Sequence, residues 1–232
     1  RRHTRSLCDW SSDVCSSDLF TVVFGYYAKM DSNGVPYSLF SLAALVPWTY
    51  FSNALTESGN SLVNQAQMLS KVYFPRLILP LSGVLAKLVD FAIAMIMLVL
   101  LMAIYRVAPN WNVVFLPILL VIMIASALGI GLWLTAMAIQ YRDVKNALNF
   151  VVQLAMYASP VIYPASIIQK PWSYVYALNP MVGVIEGFRA ALLNTGPMPW
   201  ELIGIGALSA AFFLTTGLFY FRRQERVFSD VA

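Results

Sequence analysis

Charge is scarce in this chain. Only 11% of its 232 residues are Asp, Glu, Lys or Arg, against 59% hydrophobic residues. A soluble globular protein carries about 25% charged residues, so this chain has too little polar surface to cover a dissolved globule. Cysteine and histidine are scarcer still: Cys8, Cys15 and His3 are the whole supply, and all lie before residue 20. Downstream of Leu19 that excludes a disulfide framework, a Cys/His zinc site, a cysteine nucleophile and a Ser-His-Asp triad. No GxxxxGK[ST] phosphate loop occurs, so if ATP drives this protein, a separate polypeptide binds it. A formal net charge of +4 with no dense basic run argues against nucleic-acid binding.

What the chain has in quantity is long apolar blocks, each closed by a few charges, which is the layout of a polytopic membrane protein. The polar opening, Arg1 to Leu19, changes abruptly at Phe20. It lacks the apolar core of a signal peptide. Within it DWSSDVCSSDL, Asp9 to Leu19, resembles a translated sequencing adapter joined to a truncated gene. Residues 1–19 are therefore read as a non-native prefix, with a polar cytoplasmic arm as the alternative, and 20–232 as the membrane domain.

A bilayer core of about 30 Å needs roughly 20 apolar residues in a helix. On that ruler Phe20–Ala28 is a remnant, and Pro36 to about Thr56, Leu77–Tyr105, Val113–Ile139, Ala147–Ile168 and Leu202–Phe221 are five complete spans. Strand-like alternation in ten-residue units is missing, so the spans are helices and not a barrel. The expected fold is an all-α polytopic helical bundle. Lys71, Arg76, Arg142, Lys145, Arg222, Arg223 and Arg226 fall on one side and outnumber Lys29, Arg106, Lys170 and Arg189 on the other. Excess positive charge marks the cytoplasm, which puts the tail inside and Gln169–Trp200 outside.

Four constellations stand out. Ser61–Arg76 (SLVNQAQMLSKVYFPR) has helical apolar spacing and ends at Pro75. It reads equally as a helix that docks on a cytoplasmic partner and as one lying on the membrane surface. Gln140–Asn146 is a charged turn whose Arg142, Asp143 and Lys145 either meet a partner or simply anchor topology. Lys87 and Asp90 lie three residues apart inside a span, hence on one helix face. Lys87 is about seven residues past Pro80, or roughly 10 Å deep, so a structural pair that snorkels and a pore-lining pair both remain open. Gln169–Trp200 is too apolar for a plain loop and is broken by Pro171, Pro180 and Pro197. Short helices that dip into the membrane and return would fit. In it Glu186 and Arg189 are one turn apart. Trp172, Tyr174, Tyr176 and Trp200 suit an interfacial aromatic belt, with stacking on sugar rings as the second reading.

The phrases KVYFPRLILPL (71–81), LVDFAIA (88–94), QYRDVKNAL (140–148), ASPVIYP (158–164), LNPMVGVIEGFRAALL (178–193) and FRRQERVFSDV (221–231) occur in that order. Together they resemble the type-2 ABC transporter permeases that export O-antigen, teichoic acid and other cell-envelope polysaccharides. The resemblance implies a six-span permease, here with its first span truncated, in the bacterial inner membrane. It also implies a homodimer with a lipid-linked glycan passing between the copies, and a nucleotide-binding ATPase subunit that holds ATP-Mg while this chain binds no cofactor. On that likeness Gln67, Lys71, Tyr73, Arg76, Arg142 and Asp143 contact the ATPase. Trp172, Tyr174, Tyr176, Asn179, Pro180, Glu186 and Arg189 then belong to re-entrant helices at the outer mouth. A drug or lipid cargo on the same scaffold is the first alternative. A polytopic glycosyltransferase is the second, disfavoured because the acidic residues after Phe20 are too scattered to build a catalytic cluster.

Overall fold

The computed structural model describes residues 36–64, 75–107, 109–141, 143–165 and 172–228. Among these residues all regular structure is helical. The long helices are α1 (Tyr37–Asn64), α2 (Ile78–Ile104), α3 (Leu116–Gln140, entered through a 3-10 turn at Trp111–Phe115) and α7 (Trp200–Phe228). Between α3 and α7 lie three shorter ones: α4 (Asp143–Tyr157), α5 (Trp172–Tyr176) and α6 (Pro180–Leu193). The prefix and the Phe20–Ala28 remnant lie outside the described residues.

Among the described residues three segments are long and apolar enough to cross a membrane: Ile78–Ile104, Trp111–Ala138 and Trp200–Gln224. Their outward faces stay apolar. In α2 the stripe Val84, Phe91 and Leu98 is buried at seven-residue spacing, while Leu85, Val89, Ile96 and Leu100 are exposed. Exposed apolar side chains in such number need lipid or protein around them.

Two of the five expected spans differ from expectation. The first runs past Thr56 to Asn64, so Ser61–Asn64 ends α1 and does not begin a separate amphipathic helix; the rest of that stretch up to Phe74 lies outside the described residues. At about 1.5 Å per residue α1 is long enough to cross. Most of α1 is enclosed by protein, since it packs on α2, α3 and α6, which lets it carry Ser and Thr residues; its Asn53 and Glu57 are exposed. The fourth expected span, Ala147–Ile168, stops being helical at Tyr157, and the chain from Ala158 to Pro164 is irregular. Pro160 and Pro164 bring no N–H to a helical ladder, which accounts for the break. At the other end, α7 carries Arg222 and Arg223 on its last turns, so they are not loop residues.

Small residues set the closest helix approaches. A Cβ on Gly129 of α3 would sit 2.5 Å from the Leu214 backbone nitrogen of α7, and Gly217 faces Gly129 across the same crossing. Without a hydrophobic drive inside lipid, such backbone proximity is a main source of helix association. Ser58 and Gly131 play this part between α1 and α3, where the Thr135 hydroxyl donates to the Ser58 carbonyl at 2.7 Å.

Among the described residues two apolar clusters divide the interior. The larger runs through α1, α2, α3 and α6. The smaller joins Leu62, Leu79, Leu132, Ala136 and Phe221. It gathers the end of α1, the start of α2 and the late turns of α3 and α7 at one end of the bundle. Arg76 and Arg222 flank it, so it is the end that the positive-charge rule expects in the cytoplasm, with the opposite end expected outside. The opposite rim is formed by Asn110, the 3-10 turn and the start of α7, where Phe115 and Trp200 meet edge to face at 4.8 Å.

Candidate functional site

At the outer half of the bundle the chain leaves regular structure and returns to it. Backbone polar groups inside a membrane must find partners within the protein, and here side chains supply them. The Val161 carbonyl accepts from Arg189 Nη2 at 2.7 Å, and the Tyr163 carbonyl from Nη1 at 3.2 Å. The Ile162 carbonyl between them accepts from the Tyr37 hydroxyl at 3.0 Å. The Ala165 N–H donates to Glu186 Oε1 at 2.8 Å. Arg189 Nη1 also donates to that carboxylate oxygen, at 3.2 Å.

Arg189 is the centre of this arrangement and is 0% exposed. Its Nε donates to the Phe40 carbonyl at 3.4 Å, and its guanidinium lies 3.8 Å from the centre of the Phe40 ring. One cation thus ties three elements together: the first turn of α1, the broken segment after α4, and α6. A planar fork of five donors suits this task; a lysine ammonium does not. Arg189, expected among the residues of the outer mouth, is a buried guanidinium with every nitrogen paired, and so is part of the core.

Below it, Asn179 caps α6 by accepting from the Met181 N–H at 3.1 Å, and Pro180 occupies the first helical position, where its missing N–H costs nothing. The Asn179 side-chain amide donates to the Ser159 hydroxyl at 2.9 Å, and that hydroxyl donates in turn to the Ala155 carbonyl. The start of α6 is thereby bound to the end of α4. The Tyr163 and Tyr176 hydroxyls pair at 3.1 Å. Burial, and then the Tyr163 hydroxyl, push the Tyr176 phenol well above its ordinary value.

The α6 helix is enclosed: every residue from Pro180 to Leu193 except Glu186 is buried. Gly183 lets the α7 backbone approach, because an added Cβ would lie 2.6 Å from the Leu202 carbonyl oxygen. The helix ends at Asn194, which adopts a left-handed conformation at φ 53°, a geometry asparagine tolerates better than most residues. Its Oδ1 accepts from Asn110 at 2.9 Å, fastening the end of α6 to the outer rim. At 14 residues α6 is about 21 Å long, too short to cross a bilayer. It is thus a capped, enclosed helix of half the spanning length whose last residue reaches the rim.

Trp172, Tyr174 and Trp200 are exposed at this end. A cleft of about 630 Å³ opens between Tyr174, Glu186, Thr195–Pro199, Trp200 and Glu201.

The other predicted residues fall elsewhere. Lys87 and Asp90 do pair, at 3.2 Å, with side chains 28% and 47% exposed. Because α2 begins at Ile78, Lys87 is about 14 Å along the helix, deeper than its spacing from Pro80 suggests. Arg76 stands in the turn before α2, and Asp143 is in the first turn of α4, where a carboxylate suits the helix dipole. Gln67, Lys71, Tyr73 and Arg142 lie outside the described residues. Tyr37, Phe40 and Ser159 carry structural weight that sequence reasoning missed. The only cue for the first two was their position at the entry of an uncharged span, and the prolines flanking VIY were the cue for the third. No group of His, Cys, Asp and Glu capable of holding a metal occurs among the described residues.

A family model described as "ABC-2 type transporter" matches residues 14–193. The chain is 32% identical over 212 residues to the O-antigen export system permease protein RfbA of Myxococcus xanthus, covering 89% of this chain and 79% of that one. It is 23% identical to the protein of the same name from Klebsiella pneumoniae, covering 99% of this chain and 90% of that one. It is 25% identical to the polysialic acid transport protein KpsM of Escherichia coli over 88% of this chain and 79% of that one. With apolar helices of spanning length and a family match over most of its length, the chain belongs to the ABC-2 type transporter family and is a multi-pass membrane protein.

Proposed function

We propose that this chain is the permease subunit of an ATP-driven exporter that moves a lipid-linked cell-envelope polysaccharide across the bacterial inner membrane. The observation that carries this reading is the 32% identity to an O-antigen export permease over 89% of the chain. ATP is bound and hydrolysed on a separate nucleotide-binding subunit, in keeping with the missing phosphate loop, and the permease makes and breaks no covalent bond. Two copies of the chain form the path between them. The exposed apolar faces and the half-exposed Lys87–Asp90 pair support an environment of lipid and a second copy around the bundle.

Mechanically, the cytoplasmic end gathered by Leu62, Leu79, Leu132, Ala136 and Phe221 receives the push of the ATPase through Arg76, Asp143 and the neighbouring turns. The motion reaches the outer half through α1, because the entry turn of α1 is held to the broken segment and to α6 by Tyr37 and Arg189. The test is reconstitution: the chain with its cognate ATPase in proteoliposomes should move a lipid-linked glycan on ATP addition. An absence of association with any nucleotide-binding subunit would overturn the reading.

A further inference from the structure

From Thr49 to Asn60, α1 turns a polar face away from the bundle. Positions 49, 52, 53, 56, 57 and 60 share one side of the helix, and Thr, Ser, Asn, Thr, Glu and Asn occupy them. Asn53 and Glu57 are exposed and the other four half-buried, whereas Phe51, Ala54, Leu55 and Ser58 on the other side are buried. The face runs for about 16 Å, from the middle of α1 toward the end that Leu62 marks. A second helix borders it. Gly83 of α2 lies against Glu57, since an added Cβ would meet the Glu57 Cγ at 3.2 Å. The two helices run antiparallel there, with Tyr50 reaching Val84 and Phe91. One turn outward on each therefore brings Asn53 level with Lys87, which holds Asp90 at 3.2 Å.

Hydrocarbon is a poor cover for this face. Polar and ionisable side chains turned outward at membrane depth are expensive, and they mark the pathways of polar cargo. The exposed Val89 and Ile96 of α2 suit lipid; Asn53 and Glu57 do not. The Thr49 and Ser52 hydroxyls donate to carbonyls of their own helix, which leaves their lone pairs to accept. Among the described residues no donor reaches Asn60 Oδ1, although that atom is buried. A buried acceptor without a donor is costly, so water or a cargo hydroxyl fits there. Hydroxyls, carboxamides and a carboxylate are the groups that bond sugar hydroxyls, and none of the six residues offers a neighbouring helix an aliphatic or aromatic knob. We propose that this face, edged by the Lys87–Asp90 pair, is the wall of a water-filled entry path for the glycan in the half of the membrane toward the Leu62 end. Asn53 and Glu57 bond the passing sugar hydroxyls. The inference rests on the exporter reading, and adds to it which helix face the glycan meets first.

The test uses the full chain with Cys8→Ser and Cys15→Ser, bound to its ATPase in inside-out membrane vesicles. Asn53→Cys, Thr56→Cys and Glu57→Cys are compared with Val89→Cys and Ile96→Cys. A thiol reacts as its thiolate, which forms in water and is suppressed in apolar surroundings. A small cationic methanethiosulfonate is expected to label the three α1 positions at least about tenfold faster than the two α2 positions. A methanethiosulfonate carrying maltotriose is expected to keep that preference, because the path admits a sugar chain. Size exclusion checks that each variant folds, and three positions keep the test decisive if one does not. Equal labelling of the two helices, as a second copy or another segment covering α1 would give, overturns the proposal. Labelling of α1 by the small reagent alone overturns it too, since that marks a crevice too narrow for sugar. Retention of the nucleotide-binding subunit by the vesicles is scored separately: its loss sinks the exporter reading, whereas its retention with equal labelling sinks only the wall.

Discussion

Arg189 donates through Nη2 to the carbonyl of Val161 at 2.7 Å, linking the middle of an enclosed helix to irregular backbone 28 residues upstream. The bond is one of five contacts by which a single buried cation closes the outer half of the bundle, the others being to Tyr163, Phe40 twice and Glu186.

Replacing Arg189 by Met should cost about 3–5 kcal/mol, since it leaves the Glu186 carboxylate without its cation and takes a donor from three carbonyls. Lysine should recover only part of the loss, because an ammonium does not fork. Thermal melting in detergent, read by size exclusion, checks this. A methionine variant melting with the parent would remove the clamp from the account.

Asn179 performs two tasks, capping α6 and reaching Ser159. Asn179→Ala should destabilise by about 1–2 kcal/mol, while Asn179→Asp should keep the cap and lose only the bridge to α4. The order of melting temperatures, parent above Asp above Ala, is the expected result.

Gly129→Leu should prevent the α3–α7 crossing, because even a Cβ there meets the Leu214 backbone. Gly196→Ala, with nothing within 4 Å of an added Cβ, should be silent. Folded yield in membranes distinguishes them.

Removing Lys87 or Asp90 singly leaves a lone charge in α2, at about 2.5–3.5 kcal/mol on insertion scales. Each single variant, Lys87→Met or Asp90→Leu, should reduce folded yield, and the double variant should restore it. Export by the double variant then sorts the two roles: normal export marks a structural pair, and lost export with normal folding marks a pore-lining one.

Cysteine placed at Gly196 should react with a membrane-impermeant maleimide added outside the cell, and cysteine at Arg223 only after permeabilisation. The reverse pattern would invert the assigned orientation.

The sequence makes some of this legible and hides the rest for physical reasons. The spans at α2, α3 and α7 read clearly because their outer faces meet lipid and stay uncharged for a full crossing. The full length of α1 is harder to see, since its last two turns carry Glu57, Ser58, Asn60 and Ser61, residues that protein neighbours tolerate and a hydropathy ruler rejects. The end of α4 at Tyr157 was written in Pro160 and Pro164, but an apolar run masks it. At the candidate site the Glu186–Arg189 pair followed from helical spacing alone. Its union with Tyr37, Phe40 and Val161 did not, because those contacts span 28 to 149 residues and no local pattern encodes them.

The enclosure of α6 sets an order on biogenesis. This rod is completed by the ribosome before α7 exists, yet α7 forms one of its walls. Too short to hold a transmembrane position alone, residues 180–193 must wait, shielded or shallow, until the final hydrophobic stretch is released and threads back. Chains interrupted between Asn194 and the end of α7 should therefore be recognised by quality control as unfinished, however complete their earlier spans.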